Sequence, residues 1–339
     1  MTNNDPARFR RALVVSHHQE EEMNTGFFAV GLEEWRQACN IGLNAACSFI
    51  VLACGTGRDN STTAWSANAV QTYAGISWVR AQPAIKQLAD AELLTNTSKT
   101  KKPKYKLKIG TERIWLPKSI VMPIGEEIPA ILRLRQVQDV MLLRLFIELY
   151  FSQNLAADGG LSRKVYYAKY EKTSYAEVGP FIFMGFDRKN DYVSWATDIT
   201  SVHKVEVSKA EEKEGKNPGH VFFKRIQALR DLGLLEYSIC LFEGKGDDAE
   251  ILFPITGPTE IERTMEAISA TITESQLQQW QVDNAPHQHL IPIFRHQEQA
   301  EAFGIYRLRH RPQTALTSAW WAVMHEKIEG TKKLYMQAS

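Results

Sequence analysis

Residues 66–109 read SANAVQTYAGISWVRAQPAIKQLADAELLTNTSKTKKPKYKLKI, and the order of signals within them decides how the first third of the chain is expected to fold. Ser66 is placed to cap a short helix carrying Val70 and Tyr73, because its hydroxyl can accept the orphan N–H groups of the first turn. Gly75 stops that helix, and apolar Ile76 plugs the corner after it. Ser77 is placed to cap a second helix whose Ala81, Ala84, Ile85 and Leu88 fall on one buried face. Past Ala91-Glu92-Leu93-Leu94 the period changes to two: Tyr105, Leu107 and Ile109 alternate with Lys104, Lys106 and Lys108. That alternation predicts a strand with one buried and one lysine-bearing face. Thr95 to Pro103, with Lys99, Lys101 and Lys102, becomes the basic tip of a hairpin.

Helix, glycine turn, Ser-capped helix, strand and basic hairpin follow one another over about Phe27 to Met122. This order resembles the winged helix-turn-helix family of bacterial transcription regulators and of plasmid or phage replication initiators. The resemblance implies that the helix from Ser77 to Leu88 enters the major groove of double-stranded DNA while the wing at 99–108 grips phosphates. Trp78, Arg80, Gln82, Lys86 and Gln87 are the predicted base-reading set with Ser77, since Arg pairs with guanine and Gln with adenine through two hydrogen bonds. Lys99, Lys101, Lys102, Lys104, Lys106 and Lys108 are the predicted phosphate contacts. The other readings are an ordinary solvated helix face and lysines that guard an exposed strand edge. Pro83 departs from the pattern, because inside a helix it removes a backbone hydrogen bond and is expected to kink the helix or delay its start.

Working outward, Gly31 to Cys54 has helical periodicity, read as two helices meeting near Gly42, with Gly55 and Gly57 ending the second. Leu132 to Gln153 is predicted as one long helix and Val221 to Leu232 as another. The second runs through Leu232-Gly233-Leu234-Leu235, an echo of residues 91–94, into a hairpin of Tyr237–Phe242 and Glu250–Ile255. Its tip carries Asp247, Asp248 and Glu250 against Lys245, which would repel a phosphate backbone. Helices are also predicted at Glu260 to Trp280 and Thr314 to Ile328. Mixed charge with Gly215 and Pro218 marks 202–218 as an exposed loop or short helix, and prolines and histidines mark 286–292 as a linker. The expectation is an α+β, helix-rich chain of tandem winged-helix units: a flexible tail (1–25), a DNA-binding domain (26–125), a second winged-helix-like domain (126–258) and a C-terminal helical segment (259–339).

The composition excludes a polybasic coat. Among 339 residues, 40 basic side chains stand against 39 acidic ones, so affinity for nucleic acid has to come from local segregation of charge. Hydrophobic residues make up 44% and charged residues 23%, as in ordinary globular domains. Cys39, Cys47, Cys54 and Cys240 form no CxxC pair and read as core packing in a reducing, cytoplasmic setting. No apolar run is long enough to span a bilayer.

Catalytic motifs are incomplete. Gly55-Thr56-Gly57 lacks the third glycine of a dinucleotide loop, and no Gly-Lys-Ser/Thr occurs. Tyr166, Tyr167 and Tyr170 suggest a nicking or recombining tyrosine, but their spacing reads as helix packing. His17, His18, His287, His289 and His296 lack accompanying cysteines at zinc spacing. Arg307, Arg309 and Arg311 read either as further phosphate contacts or as an ion-pair cluster. The expectation is thus a non-enzymatic, sequence-specific DNA-binding protein without cofactor or metal, an initiator or a regulator. A second copy in a homodimer and a host replication or transcription protein are the further partners expected. The alternative is a protein-interaction scaffold built from the same units.

Overall fold

The computed structural model describes residues 26–100, 102–122, 125, 127–204, 220–280, 289–311 and 314–338, and among these no helix is long and apolar enough to cross a membrane. It is an α+β chain of two compact units. One runs through Phe151 and takes back residues 310–311; the other holds Ser152–Arg309 and residues 314–338. The 1–25 tail lies outside the described residues, as do 205–218 of the 202–218 stretch and 286–288 of the 286–292 linker; the rest of that predicted linker is instead the start of a strand, His289–Phe294, whose Ile291 and Ile293 are buried in the sheet.

The first unit runs β1 (Phe27–Gly31), α1 (Leu32–Ile41), α2 (Leu43–Cys54), β2 (Thr62–Thr63), α3 (Ala67–Ala74), α4 (Trp78–Asp90), β3 (Leu94–Asn96), β4 (Tyr105–Leu107), β5 (Arg113–Pro117), α5 (Ala130–Val137) and α6 (Val140–Leu149). Gly42, at φ 139°, is the joint between α1 and α2 that the sequence marks. Helix α2 is apolar on all sides and is buried from Ala45 to Cys54, so α1, α3, α4 and α5 can all pack on it. Cys39, Cys47 and Cys54 are free thiols in this core, and burial pushes Cys47 and Cys54 up to about 12. Strand β1 pairs antiparallel with β5, and the buried Glu34 carboxylate accepts the Gly110 N–H at 3.1 Å. Strands β2, β4 and β3 form a small antiparallel sheet in that order.

The second unit begins with the long hairpin of β6 (Tyr166–Val178) and β7 (Phe181–Val193) and continues through α7 (Asp198–Ser201), α8 (His220–Asp231), β8 (Leu235–Phe242), β9 (Ile251–Thr256), α9 (Glu260–Trp280), β10 (His289–Phe294), β11 (Glu301–Leu308) and α10 (Ala315–Ala338). Its strands make one antiparallel sheet in the order β10-β7-β6-β11-β8-β9. Ile182, Met184, Phe186, Ile239, Leu241 and Ile293 share a core with Met265 of α9 and with Met324 and Ile328 of α10. Arg307 of β11 is fully buried. Its Nε donates to Asp158 at 2.9 Å and its Nη1 to Glu262. Glu262 also closes a capping box at the start of α9: it accepts the Thr259 N–H at 2.9 Å, while its own N–H donates to the Thr259 hydroxyl at 3.2 Å.

Three expectations differ from this architecture. The single helix predicted over 132–153 is α5 and α6, broken where Gln138 turns left-handed (φ 62°) and Asp139 caps α6 by accepting from Met141 and Leu142 N–H at 2.8 and 3.1 Å. Both helices belong to the first unit, so the boundary predicted at 125 moves to 151. The hairpin read as a second wing is not free-standing. Strand β8 is drawn into the six-stranded sheet by β11, paired from Glu301↔Phe242 to Leu308↔Leu235, because its Leu235 and Ile239 to Phe242 are buried and need a partner strand. The 91–94 and 232–235 echo is a shared way of ending a helix. Glu92 (φ 57°) and Gly233 (φ 64°) both turn left-handed, with Leu93 N–H donating to Leu88 C=O at 2.9 Å and Leu234 N–H to Leu229 C=O at 2.8 Å.

Candidate nucleic-acid interface

The surface around α4 is built from the turn that precedes it. Ser66 accepts the Asn68 N–H at 3.4 Å and so starts α3. Gly75 ends α3 at φ 64°, its N–H bonded to Gln71 C=O at 3.1 Å. A side chain there would be strained, and a Cβ would lie 2.7 Å from Leu132 Cδ1. Ile76, fully buried, pins the corner. Ser77 stands at the start of α4, but contrary to expectation its hydroxyl makes no bond to the first turn. Pro83 does not delay the helix, which runs unbroken from Trp78 to Asp90. The carbonyl Pro83 leaves unpaired belongs to Val79, whose residue is 73% exposed, so water can serve it.

Ser77, Trp78, Arg80, Gln82, Lys86 and Gln87 are all exposed, while Ala81, Ala84, Ile85 and Leu88 are buried as predicted. The exposed residues separate into two edges. At about 100° per residue, Trp78, Gln82 and Lys86 recur within roughly 80° of arc, and Arg80 and Gln87 lie on the other side of the helix. The first edge lines a groove of about 470 Å³ between α4 and the β3–β4 hairpin.

Strand β4 presents Leu107 to the core and Lys106 to solvent, as the alternation predicts. Its ladder to β3 is Leu94↔Leu107 and Asn96↔Tyr105, continued by the Thr97 N–H to Lys104 C=O bond at 2.8 Å. Lys99, Lys102, Lys104, Lys106 and Lys108 are exposed. Lys101 lies outside the described residues. Between Ser66 and Lys108 the chain has eight basic side chains and two acidic ones, Asp90 and Glu92, and this is the local segregation that the balanced total conceals.

Sequence reasoning overlooked the groove itself. Asn68, Asn96 and Tyr105 line it beside Trp78, Gln82 and Lys86, and Tyr105 is half-buried there, its phenol pushed above its usual range by burial. The alternation of 104–109 assigns Tyr105 to a buried face, which is half right. Nothing in a linear pattern brings Asn68 of α3 to the hairpin.

Arg307 is the ion-paired residue of the buried cluster, so it cannot contact phosphate. Arg309 and Arg311 follow the end of β11 rather than lining its face. Tyr166, Tyr167 and Tyr170 sit on β6, in place of the helix their spacing suggests. Burial pushes all three phenols above their usual range. The Tyr170 hydroxyl bonds that of Tyr237 at 3.0 Å, and Tyr166 stacks on Tyr306, so both are packed into the structure. The hairpin tip keeps Asp247, Asp248 and Glu250 exposed. Among the described residues no three His, Cys, Asp or Glu side chains gather as a metal site. Comparison of the chain with protein-family models, with curated proteins and with solved structures gives no match.

Proposed function

We propose that the first unit binds double-stranded DNA as a winged helix-turn-helix domain and that the protein is a sequence-specific replication initiator or transcription regulator. The observation that carries the reading is a concentration of exposed basic residues on adjoining elements: the edge Trp78–Gln82–Lys86 of α4 faces the β3–β4 hairpin across a shared groove, and that hairpin carries exposed Lys99, Lys102, Lys104 and Lys106, with Lys108 just past it. In this reading α4 lies in the major groove with that edge on the hairpin side and with Arg80 and Gln87 on the opposite edge, while the hairpin neutralises the flanking phosphates. The second unit, whose hairpin tip is acidic, is read as the part that meets a protein partner or a second copy.

The test is a titration of the full chain with pooled random duplex across a salt series, with the bound fraction selected and sequenced. The expected result is a recovered motif and an affinity that falls steeply with salt. Replacing Lys102 and Lys104 by Ala is expected to weaken every sequence alike and to lower the log–log salt slope by about one for each phosphate no longer neutralised. Arg80→Ala is expected to relax one position of the motif. Absence of binding to any duplex at low salt refutes the reading. That outcome favours the protein-interaction alternative, for which the exposed Val79 and Trp78 of α4 are the supporting observation.

A further inference from the structure

The groove between α4 and the β3–β4 hairpin adds to the groups that read base edges an apolar and aromatic lining that base edges do not require. Its floor is apolar, formed by Ile85 and Leu94, which are 6% and 2% exposed. Two aromatic residues line it, Trp78 from the helix and Tyr105 from β4, and the carboxamide residues Asn68 and Gln82 line it as well. Trp78 is 46% exposed, a large apolar surface left in water at the end of the helix. In a stacked duplex the faces of the bases are covered by their neighbours, and only the edges reach the grooves. An aromatic-walled slot with amide donors and acceptors therefore matches a base whose face is uncovered, stacked on a ring and hydrogen-bonded along its pairing edge. Lys86 lines the same groove, and the exposed lysines elsewhere on the adjoining hairpin supply further charge for the strand that carries such a base.

We propose that this groove takes one unpaired nucleobase, so that the first unit prefers DNA carrying an extrahelical or melted position over fully paired duplex. The inference rests on the DNA-binding reading and deepens it, naming the form of DNA and the residues that recognise it. The energetic logic favours a base that is already unpaired, since drawing one out of a matched pair costs unstacking and unpairing that a bulged base does not require.

The experiment measures affinity of the full chain by fluorescence anisotropy for three DNAs of one sequence: matched duplex, the same duplex with a single extrahelical base, and the single strand. In a parallel series 2-aminopurine occupies the extrahelical position. The bulged duplex is expected to bind roughly tenfold more tightly than the matched one, the value of one base–aromatic stack, and the 2-aminopurine emission is expected to fall as it stacks. Trp78→Ala is expected to cost the bulged duplex about tenfold more than the matched duplex, and Trp78→Phe to restore most of that difference. Gln82→Ala, a surface change, is a second probe that should narrow the same gap. Equal affinity for matched and bulged duplex overturns this inference while leaving the DNA-binding reading standing. Loss of all DNA binding at low salt overturns both.

Discussion

Replacing Arg307 by Met should destabilise the second unit through the charges it leaves behind. Arg307 is fully buried and holds two carboxylates, Asp158 at 3% side-chain exposure and Glu262 at 0%. Methionine fills much of the volume but leaves both acids buried with no cation. Breaking a buried pair in this way costs about 3–5 kcal/mol, a large share of the roughly 5–15 kcal/mol that holds a domain together. For a unit of this size that corresponds to a fall in Tm on the order of 10 °C. The pH dependence separates charge from packing. Burial alone would raise the Glu262 carboxyl, but the Arg307 charge and the hydrogen bonds from Ser238, Arg307 and Thr259 outweigh it and hold the group below its usual value. A depressed carboxylate stabilises the fold above its unfolded pKa, and that contribution is lost as pH falls through the folded value. Without Arg307 only the burial and two hydrogen-bonding partners remain, the folded pKa rises, and protonation relieves the buried charge. The variant's deficit should therefore be greatest near pH 7 and shrink as pH falls towards the ordinary carboxylate range, about 4. Urea denaturation of both proteins across that range, followed by circular dichroism and by the fluorescence of tryptophans such as Trp321, 5.0 Å from the guanidinium, measures it. A cost under about 1 kcal/mol at pH 7, or a deficit that does not change with pH, would refute the reasoning.

Three left-handed turn positions give further signed tests by chemical denaturation. Gly75→Ala meets both a left-handed φ and the Leu132 methyl group 2.7 Å from the new Cβ, so a loss of about 1–2 kcal/mol is expected together with weaker DNA binding as α4 shifts. An unchanged midpoint would mean that the α3–α4 corner is not the constraint described. At the two matching helix ends the signs oppose each other: Glu92→Gly relieves a left-handed non-glycine residue and should gain about 0.5–1 kcal/mol, whereas Gly233→Ala should lose about 1 kcal/mol. Movement in the same direction in both would contradict the shared motif.

Legibility in the sequence followed the range of the interactions. Ser66, Gly75, Ile76 and the buried face of α4 were readable because each depends on neighbours within about one helical turn. So were Gly42 as a joint and the alternation of lysines in β4. What escaped was non-local. The long β6–β7 hairpin hides in a segment whose tyrosines have helix-like spacing, and its register shifts at Lys169/Tyr170 and Ser174/Ala176 break the simple alternation that would have exposed it. For Arg307 the ion-pair alternative was readable, but its partners were not legible, because the acids that neutralise it, Asp158 and Glu262, stand 149 and 45 residues away in the chain. The break at Asp139 was within reach, since an aspartate ahead of an apolar run is a capping signal.

The repeated Leu-Leu phrase shows how a correct local observation leads to a wrong global one. In both places a helix ends on a left-handed residue, the leucine after it donates back into the helix, and a strand begins at the next residue. The likeness continues one step further: the Leu93 carbonyl accepts from Lys108 N–H at 2.9 Å and the Leu234 carbonyl from Arg309 N–H at 3.0 Å. Each strand is thus paired from its first residue with an antiparallel neighbour, Leu94 with Leu107 and Leu235 with Leu308. The partner differs. Leu107 is 13 residues on and belongs to a short hairpin whose outer face carries lysines; Leu308 is 73 residues on and belongs to the centre of a six-stranded sheet. The same helix exit can feed an exposed basic hairpin or a buried strand, and the residues next in the chain decide between them. Thr95 to Pro103 is polar and cannot be buried, whereas Ile239 to Phe242 is apolar and must be. The DNA-binding proposal accordingly rests on the first unit alone, where exit, hairpin and charge act on one surface.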